Sequence, residues 1–310
     1  MSTGLLKVAE RAKRDPDARF NSLAHLVDEA ALGRAFQRIR KDAAVGVDGI
    51  TKEQYGQQLE SNLQGLHERL RSRRYRHQPI RRVHIPKAPG KTRPIGISSL
   101  EDKIVQGALR EVLEAIYEQD FLECSYGFRP KRSAHDALRA MNQMVSRERI
   151  AVILEADIQA FFDSIDRKKL LELLQVRVAD TPFLRLIGKC LNVGVLDGEE
   201  FSKPEEGTAQ GSSISPMLGN VYLHYVLDLW FERDIKPRLK GHARLIRFAD
   251  DFVLGFARQD DAVRVLEVLH KRMSKYGLTL HPDKTRLIPF DRPRSGQNDR
   301  SGPGTFNFLG

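Results

Sequence analysis

The sequence is poor in the features that define several protein classes. Its 310 residues include two cysteines, Cys124 and Cys190, with no CxxC pair and no nearby histidines, so neither a disulfide framework nor structural zinc is expected. No run of about 18 apolar residues is present, which argues against a membrane span. The N-terminus lacks the apolar core of a signal peptide. These absences predict a cytoplasmic protein without membrane association.

The composition that remains is that of a basic globular protein. With 41% apolar and 30% charged residues, the chain can bury a core, and its length allows about two domains. Lysine and arginine exceed aspartate and glutamate by 51 to 41, a net charge of +10. The surplus is concentrated in residues 71–77, 81–94 and 129–135. This clustering favours a nucleic-acid groove over a set of solvated faces.

Local patterns predict where acidic side chains lie on the fold. Two short strand-like runs flank Ala88-Pro89-Gly90 and predict a basic hairpin. The apolar run 151–156 predicts a buried strand that ends at Asp157. Residues 244–248 and 252–256 predict two more strands around the acidic pair Asp250–Asp251. An amphipathic helix follows, with Asp260 as its expected N-cap.

Three carboxylates at strand ends favour a bound cation. Adjacent carboxylates repel, and oxygen ligands at this density suit Mg²⁺ rather than zinc. Two such ions can activate an attacking hydroxyl and stabilise a leaving oxygen in phosphoryl transfer. The alternative is a polar turn beside an unrelated strand-end Asp157.

Four motifs in order extend this pattern. They are IPKAPGKTRPIGISSLEDKIVQGAL (85–109), LEADIQAFFDSID (154–166), GTAQGSSISPMLGNVYLH (207–224) and RFADDFVLGF (247–256). Together they resemble reverse transcriptases, most closely those encoded by bacterial group II introns. The resemblance implies an α+β fold with the fingers and palm of a right-hand polymerase, the palm being an antiparallel sheet backed by helices. The implied domains are an N-terminal extension at 1–45, fingers at 46–150 returning near 165–215, and a palm at 151–164 and 216–310.

The resemblance also implies an activity and its metal site. The activity is DNA synthesis on an RNA template, with intron RNA as template, a DNA primer and dNTPs as partners. Two Mg²⁺ ions, with Mn²⁺ as a substitute, would be held by Asp157, Asp250, Asp251 and the carbonyl of Ile158. Phe248 stands where many relatives have tyrosine. Only a hydroxyl is lost, so catalysis is expected to survive.

The resemblance implies that the basic hairpin supplies nucleotide-binding residues. Lys87, Lys91 and Arg93 would bind the triphosphate, Arg93 most strongly because a guanidinium grips two phosphate oxygens. Either lysine could instead contact the template, or the hairpin could be a plain surface feature.

The remaining nucleotide contacts come from separate motifs. Phe162 would exclude a ribose 2′-hydroxyl, although a core aromatic beside Phe161 is the alternative. Gln210 and Gly211 would pack against the nascent base pair, and Lys284 would act near the pyrophosphate, unless it is a solvated loop lysine.

Residues around 127–138 resemble a template-binding segment, in which Arg129, Lys131, Arg132 and His135 would contact nucleic acid. Relatives usually continue into a thumb and a maturase domain, so we expect a fingers–palm portion whose parent protein also aids intron splicing. The open alternatives are an RNA-binding maturase module, an RNA-templated RNA polymerase, and a CRISPR-linked or free-standing reverse transcriptase. Phe162 argues against the RNA polymerase, and the intact carboxylates argue against the inactive module.

Overall fold

The computed structural model describes residues 2–88, 91–202, 207–208, 211–290 and 304–309, with backbone only at 87, 88 and 91. The chain forms two compact units. The first comprises Met1–Asp120 and Asp166–Leu218, and the second comprises Phe121–Ile165 and Gly219–Gly310. No helix in the described part of the chain is both long and apolar enough to cross a membrane.

The described residues alternate helices and short strands. The α-helices are α1 Thr3–Arg14, α2 Glu29–Arg38, α3 Lys52–Gly56, α4 Leu59–Arg71, α5 Leu100–Tyr117, α6 Ala134–Arg147, α7 Phe161–Ser164, α8 Arg167–Leu174, α9 Thr181–Leu191, α10 Ser215–Leu223 and α11 Gln259–Lys275. The strands are β1 Ile80–Ala88, β2 Lys91–Ile97, β3 Val152–Asp157, β4 Val195–Asp197, β5 Glu200–Ser202, β6 Ala243–Phe248, β7 Asp251–Phe256 and β8 Arg286–Pro289.

The first unit is organised around helix α5. Its apolar residues recur at helical spacing, and Ile104, Leu109 and Val112 have no exposed surface. Helices α1, α2 and α9 pack against it. The first sheet of this unit has the order β2-β1-β4-β5, and the antiparallel pair β1–β2 confirms the predicted basic hairpin. The hairpin residues 89–90 lie outside the described part of the chain.

The second unit is built on an antiparallel sheet of order β6-β7-β3-β8. Helix α6 covers it, because Met141 and Met144 pack with Ile153, Ile246 and Val253 in one buried cluster. The predicted strands ending at Asp157 and flanking the acidic pair are therefore confirmed. An α+β organisation with an antiparallel sheet is also confirmed.

The prediction for the start of helix α11 was wrong. Its N-cap is Arg258, and Asp260 lies inside the first turn rather than at the cap. Asp260 instead forms an ion pair with Arg258, Oδ1 to Nε 2.9 Å. An acidic residue is favoured in the first turn by the helix dipole as well as at the cap, so the predicted cap lay two residues too late.

Candidate active site

Two of the three predicted carboxylates lie side by side on the second sheet. Asp157 ends β3 and is directly opposite Asp251, which begins β7. Residues paired in this way project from the same face of an antiparallel sheet, so the carboxylates are neighbours. Burial raises the pKa of Asp251 to about 6, and the negative charges of Asp157 and Asp250 add to the rise. A hydrogen bond from the backbone N–H of Leu309 to Asp251, 2.9 Å long, acts against it.

Lys284 joins this pair of carboxylates. Its Nζ lies 2.5 Å from Asp157 Oδ2, and this contact raises the pKa of the lysine. The segment that carries it is tied to the end of β3, because His281 N donates to Asp157 O at 2.8 Å and Ile158 forms a β-bridge with Leu280. Sequence reasoning placed Lys284 near the leaving pyrophosphate, whereas here it neutralises a carboxylate directly.

The donor chemistry of these side chains fits a hard divalent cation. Asp157, Asp250 and Asp251 offer oxygen ligands, with no cysteine or histidine in the set. Within the described residues, however, no three acidic, histidine or cysteine side chains converge closely enough to hold an ion. A cation bound by Asp157 would share its carboxylate with Lys284, which contacts only the Oδ2 oxygen.

The structure distinguishes the two adjacent aromatic residues Phe161 and Phe162 by their burial. Phe161 is buried, whereas Phe162 is only half-buried, with its ring centroid 5.1 Å from that of Phe161. Gly219 makes room for both rings, since a Cβ there would lie 3.0 Å from Phe161 and 3.2 Å from Phe162. Phe161 is therefore the core residue, and Phe162 keeps a surface that a ligand can reach.

The predicted nucleotide-binding residues of the basic hairpin lie in the first unit. Arg93 is exposed on β2, in register with Ile85 of β1. Lys87 and Lys91 lie in the strands without described side chains, and Gln210 is outside the described residues. Gly211 has a φ of +103°, and a Cβ there would come within 2.4 Å of the Gly96 carbonyl oxygen. Its close approach is thus to strand β2 of the same unit.

The segment before helix α6 corrects part of the predicted template-binding set. Arg129 is buried, and its Nη1 donates to the carbonyls of Leu122 and Ser125 at 2.9 Å each. Arg132 donates to the Glu123 carbonyl at 3.0 Å and pairs with the Glu123 carboxylate. Both arginines therefore support their own loop.

Two other members of that predicted set remain at the surface. Lys131 and His135 are exposed. Among the predicted template contacts, these two side chains are the ones accessible to a nucleic acid.

Sequence reasoning missed a buried arginine beneath the acidic turn. Arg247 has no exposed side-chain surface and lies immediately before Phe248. Only part of the signal was present, because the run 243–248 contains two arginines, Arg244 and Arg247, and whichever of them is buried must find buried partners. Those partners are distant in sequence, so the pattern alone could not name them.

Comparison with known proteins identifies the family. Residues 85–310 match the family described as "Reverse transcriptase (RNA-dependent DNA polymerase)". The chain belongs to this family. Reverse transcriptases use divalent metal ions and act on an RNA template with a primer and nucleotides. The enzyme class inferred from the motifs, an RNA-directed DNA polymerase, is confirmed.

Individual relatives extend the similarity beyond the matched family segment. Protein YkfC of Escherichia coli K12 is 34% identical over 91% of this chain and 83% of its own length. The group II intron-encoded protein LtrA of Lactococcus lactis is 35% identical over 68% of this chain, which spans only 36% of that protein. A 91 kDa protein in the cob intron of Schizosaccharomyces pombe is 46% identical over 50% of this chain. The reverse transcriptase is therefore of the group II intron type.

Proposed function

We propose that this reverse transcriptase extends a DNA primer on an RNA template through the carboxylates of the second unit. The observation that carries the proposal is the direct cross-strand pairing of Asp157 and Asp251, with Asp250 in the adjoining turn. In this proposal the palm comprises 151–164 and 216–310, and the fingers comprise 46–150 and the return near 165–215; the second unit also includes 121–150, which the sequence assigns to the fingers. The protein acts in the cytoplasm.

The metal site comprises the side chains of Asp157, Asp250 and Asp251 and the carbonyl of Ile158. When bound, two Mg²⁺ ions supply activation of the primer 3′-hydroxyl and stabilisation of the leaving oxygen. The chain's part is to hold the carboxylates at fixed positions on two paired strands.

Lys284 has two roles in this scheme. Before substrate binds, its ammonium group neutralises Asp157. Once freed from Asp157, the lysine would be able to donate a proton to the departing pyrophosphate. Support for this comes from its pKa, which the Asp157 contact raises and which therefore keeps the group protonated in the resting protein.

Selection and binding of the nucleotide are assigned to the side chains that the family resemblance names. The half-buried ring of Phe162 rejects a ribose 2′-hydroxyl by shape. Arg93, with Lys87 and Lys91, binds the triphosphate, and Gln210 with Gly211 supports the base pair. These assignments rest on the family resemblance, on the exposure of Arg93 and on the accessible surface of Phe162.

The RNA partner is proposed to be intron RNA, contacted at Lys131 and His135 among other cations. The name of the lactococcal relative ties that protein to a group II intron. We extend this origin to the present chain and infer that the protein also aids splicing. A CRISPR-linked or free-standing reverse transcriptase would share the same catalytic residues.

Primer extension tests the proposed function. The assay uses an RNA template, an annealed DNA primer, Mg²⁺ and dNTPs at low salt, with Asp250→Ala as the control. RNA-dependent synthesis that disappears in the control supports the proposal. Tight RNA binding without any extension would instead indicate a binding module built on a polymerase fold.

A further inference from the structure

The acidic turn of the second unit has a strained backbone. Strands β6 and β7 are joined by two residues, Ala249 and Asp250, since Phe248 pairs directly with Asp251. Ala249 has a φ of +57°, and Asp250 is not among the residues with positive φ. This pattern resembles a type II′ turn, in which glycine is the favoured first residue. An alanine there persists only where its surroundings hold it.

The Arg247 guanidinium provides one contact that constrains the backbone at Ala249. Its Nη1 donates to the Ala249 carbonyl oxygen at 2.8 Å, bridging from β6 to the turn that follows it. The loop before α6 provides another, because Gly127 packs so tightly that a Cβ would lie 2.3 Å from Ala249 N. Backbone bonds fix that loop to β6 as well: Tyr126 N donates to the Arg247 carbonyl at 2.9 Å.

Every N–H group of the Arg247 guanidinium has an acceptor, so its orientation is fixed. Nε and Nη2 bind Asp228 at 2.8 and 2.6 Å, and Nη2 also binds Ser125 Oγ at 2.7 Å. Nη1 binds Asn220 Oδ1 at 3.0 Å in addition to the Ala249 carbonyl. Asp228 and Asn220 are themselves buried.

Asn220 closes the network onto the loop beneath the turn. Its Nδ2 donates to the Gly127 carbonyl at 2.7 Å, while its Oδ1 accepts from Arg247. Asp228 lies in a π-helical stretch, His224–Asp228, that continues helix α10. The same guanidinium thus joins α10, its π-helical continuation, the loop before α6 and the acidic turn.

We propose that Arg247 is a positioning residue for nucleotidyl transfer: it holds the Ala249 carbonyl so that Asp250 and Asp251 present their carboxylates in a fixed direction. An ion pair serving stability alone would need only the two bonds to Asp228, whereas Nη1 is directed at the turn. The proposal rests on the function proposed above. It adds a residue that touches neither substrate nor cation.

The test compares two buried arginines under the same substitution. Arg247→Lys keeps a positive charge beside Asp228 but cannot also reach the Ala249 carbonyl, because an ammonium group lacks the guanidinium fork. Arg177→Lys is the control, since Arg177 is equally buried, pairs with Asp120 at 2.9 Å and donates to the Ala18 carbonyl at 2.9 Å in the first unit. Urea unfolding shows how much stability each variant loses.

The expected results separate positioning from stability. Arg247→Lys lowers kcat by about 10- to 100-fold, raises the Mg²⁺ concentration needed for half-maximal rate, and leaves the KM for dNTP within about threefold. Amide exchange rises at residues 248–252 and not throughout the unit. Arg177→Lys loses comparable stability but keeps kcat and its Mg²⁺ dependence. A folded Arg247→Lys protein with wild-type kcat and unchanged exchange at 248–252 would overturn the proposal.

A second variant covers the case in which Arg247→Lys does not fold. Gly127→Ala leaves the Arg247–Asp228 pair intact and displaces the turn through the close contact with Ala249. It is expected to lower kcat and speed exchange at the turn, and wild-type behaviour in both would contradict the proposal. If wild-type protein extends no primer, the proposed function fails, while the exchange comparison still tests whether Arg247 holds the turn.

Discussion

The two sheets of this protein place their charges in opposite ways. In the first sheet the hairpin β1–β2 carries cations on exposed side chains, and Arg82 and His84 lie only loosely near Asp197, at 3.9 and 3.8 Å. In the second sheet β7 is almost entirely buried, and acids stand at the strand ends. The buried arginine of β6, Arg247, has every guanidinium N–H bonded.

Cationic and acidic side chains differ in how firmly the backbone must hold them. A cation on a long flexible stem can follow a triphosphate, so an exposed hairpin suffices. A carboxylate on a short stem can serve a cation only where its backbone is held, because an error of about 1 Å can cost about 100-fold in rate. The rigid sheet therefore carries the acids, and the exposed sheet carries the cations.

The largest effect is expected from an acid of the second sheet. Asp157→Asn should lower kcat by about 10³-fold or more, because it removes a ligand that stabilises charge in the transition state. Single-turnover incorporation of one dNTP measures this. Glu155→Gln is the matched control, since Glu155 lies two residues earlier on the same face of β3 and pairs with Arg286 at 2.9 Å. Equal losses in both variants would show that the face of the sheet, rather than Asp157, is what matters.

The exposed sheet should respond in a different parameter. Arg93→Ala is expected to raise the KM for dNTP by about 10- to 100-fold, since a charge-assisted phosphate contact is lost. Stability should hardly change, because the side chain is exposed. Arg82→Ala removes the same charge from the neighbouring strand and serves as control. A fall in kcat at unchanged KM for Arg93→Ala would contradict the division of roles between the sheets.

Phe161 and Phe162 allow a half-buried and a buried ring of the second unit to be compared by the same substitution. Phe162→Ala should increase use of rNTPs relative to dNTPs by roughly 10-fold or more, as the ring no longer excludes the 2′-hydroxyl. Phe161→Ala should instead destabilise the protein by about 3–5 kcal/mol because that ring is buried. Competition between rNTP and dNTP, together with urea unfolding, measures both. Unchanged discrimination in Phe162→Ala would make both rings structural.

The smallest expected effect is on the pH dependence of stability, and it comes from a buried acid of the first unit. Asp102 in the first unit is buried and accepts a hydrogen bond from Gln78 N at 3.0 Å, and burial raises its pKa from 3.8 to about 7. The folded state therefore holds this proton more tightly than the unfolded state does. Its stabilisation is present below about pH 4 and is lost as the pH rises through 7.

Comparison with Asp102→Asn isolates that contribution. The free energy of unfolding of the wild type relative to the variant should fall by at least about 1 kcal/mol between about pH 4 and pH 8. Burial lowers the pKa of the neighbouring His77 to about 4, which gives a slope of opposite sign in both proteins. Urea unfolding across this range provides the measurement, and a pH-independent difference would show that Asp102 stays ionised in the fold.

The features predictable from the sequence are those encoded locally. Strand β3 ending at Asp157, the basic hairpin and the strands around Asp250 each follow from a few neighbouring residues. The burial of Arg129 and the left-handed Ala249 do not, because the first depends on how its own loop folds over Leu122 and Ser125, and the second on the packing of Gly127 against the turn. From the sequence alone Arg129 resembles a surface cation, whereas in the structure its guanidinium donates to the carbonyls of Ser125 and Leu122.

The contact between Lys284 and Asp157 was likewise beyond the sequence pattern. These residues are separated by 127 positions and meet because Ile158 bridges to Leu280. The family resemblance suggested a role for the lysine near the pyrophosphate, but only the fold gives it a partner. The geometry of a site built from distant segments has to be observed.

In the proposed function, Asp157 and its cross-strand neighbours hold the cations of nucleotidyl transfer. The most direct measurement is Mn²⁺ binding, followed by electron paramagnetic resonance, to the protein with an RNA template, a dideoxy-terminated DNA primer and the next dNTP. Wild-type protein and Glu155→Gln are expected to bind Mn²⁺ alike, and Asp157→Asn is expected to lose most of this binding. Equal Mn²⁺ binding by wild-type protein and Asp157→Asn would contradict the proposal.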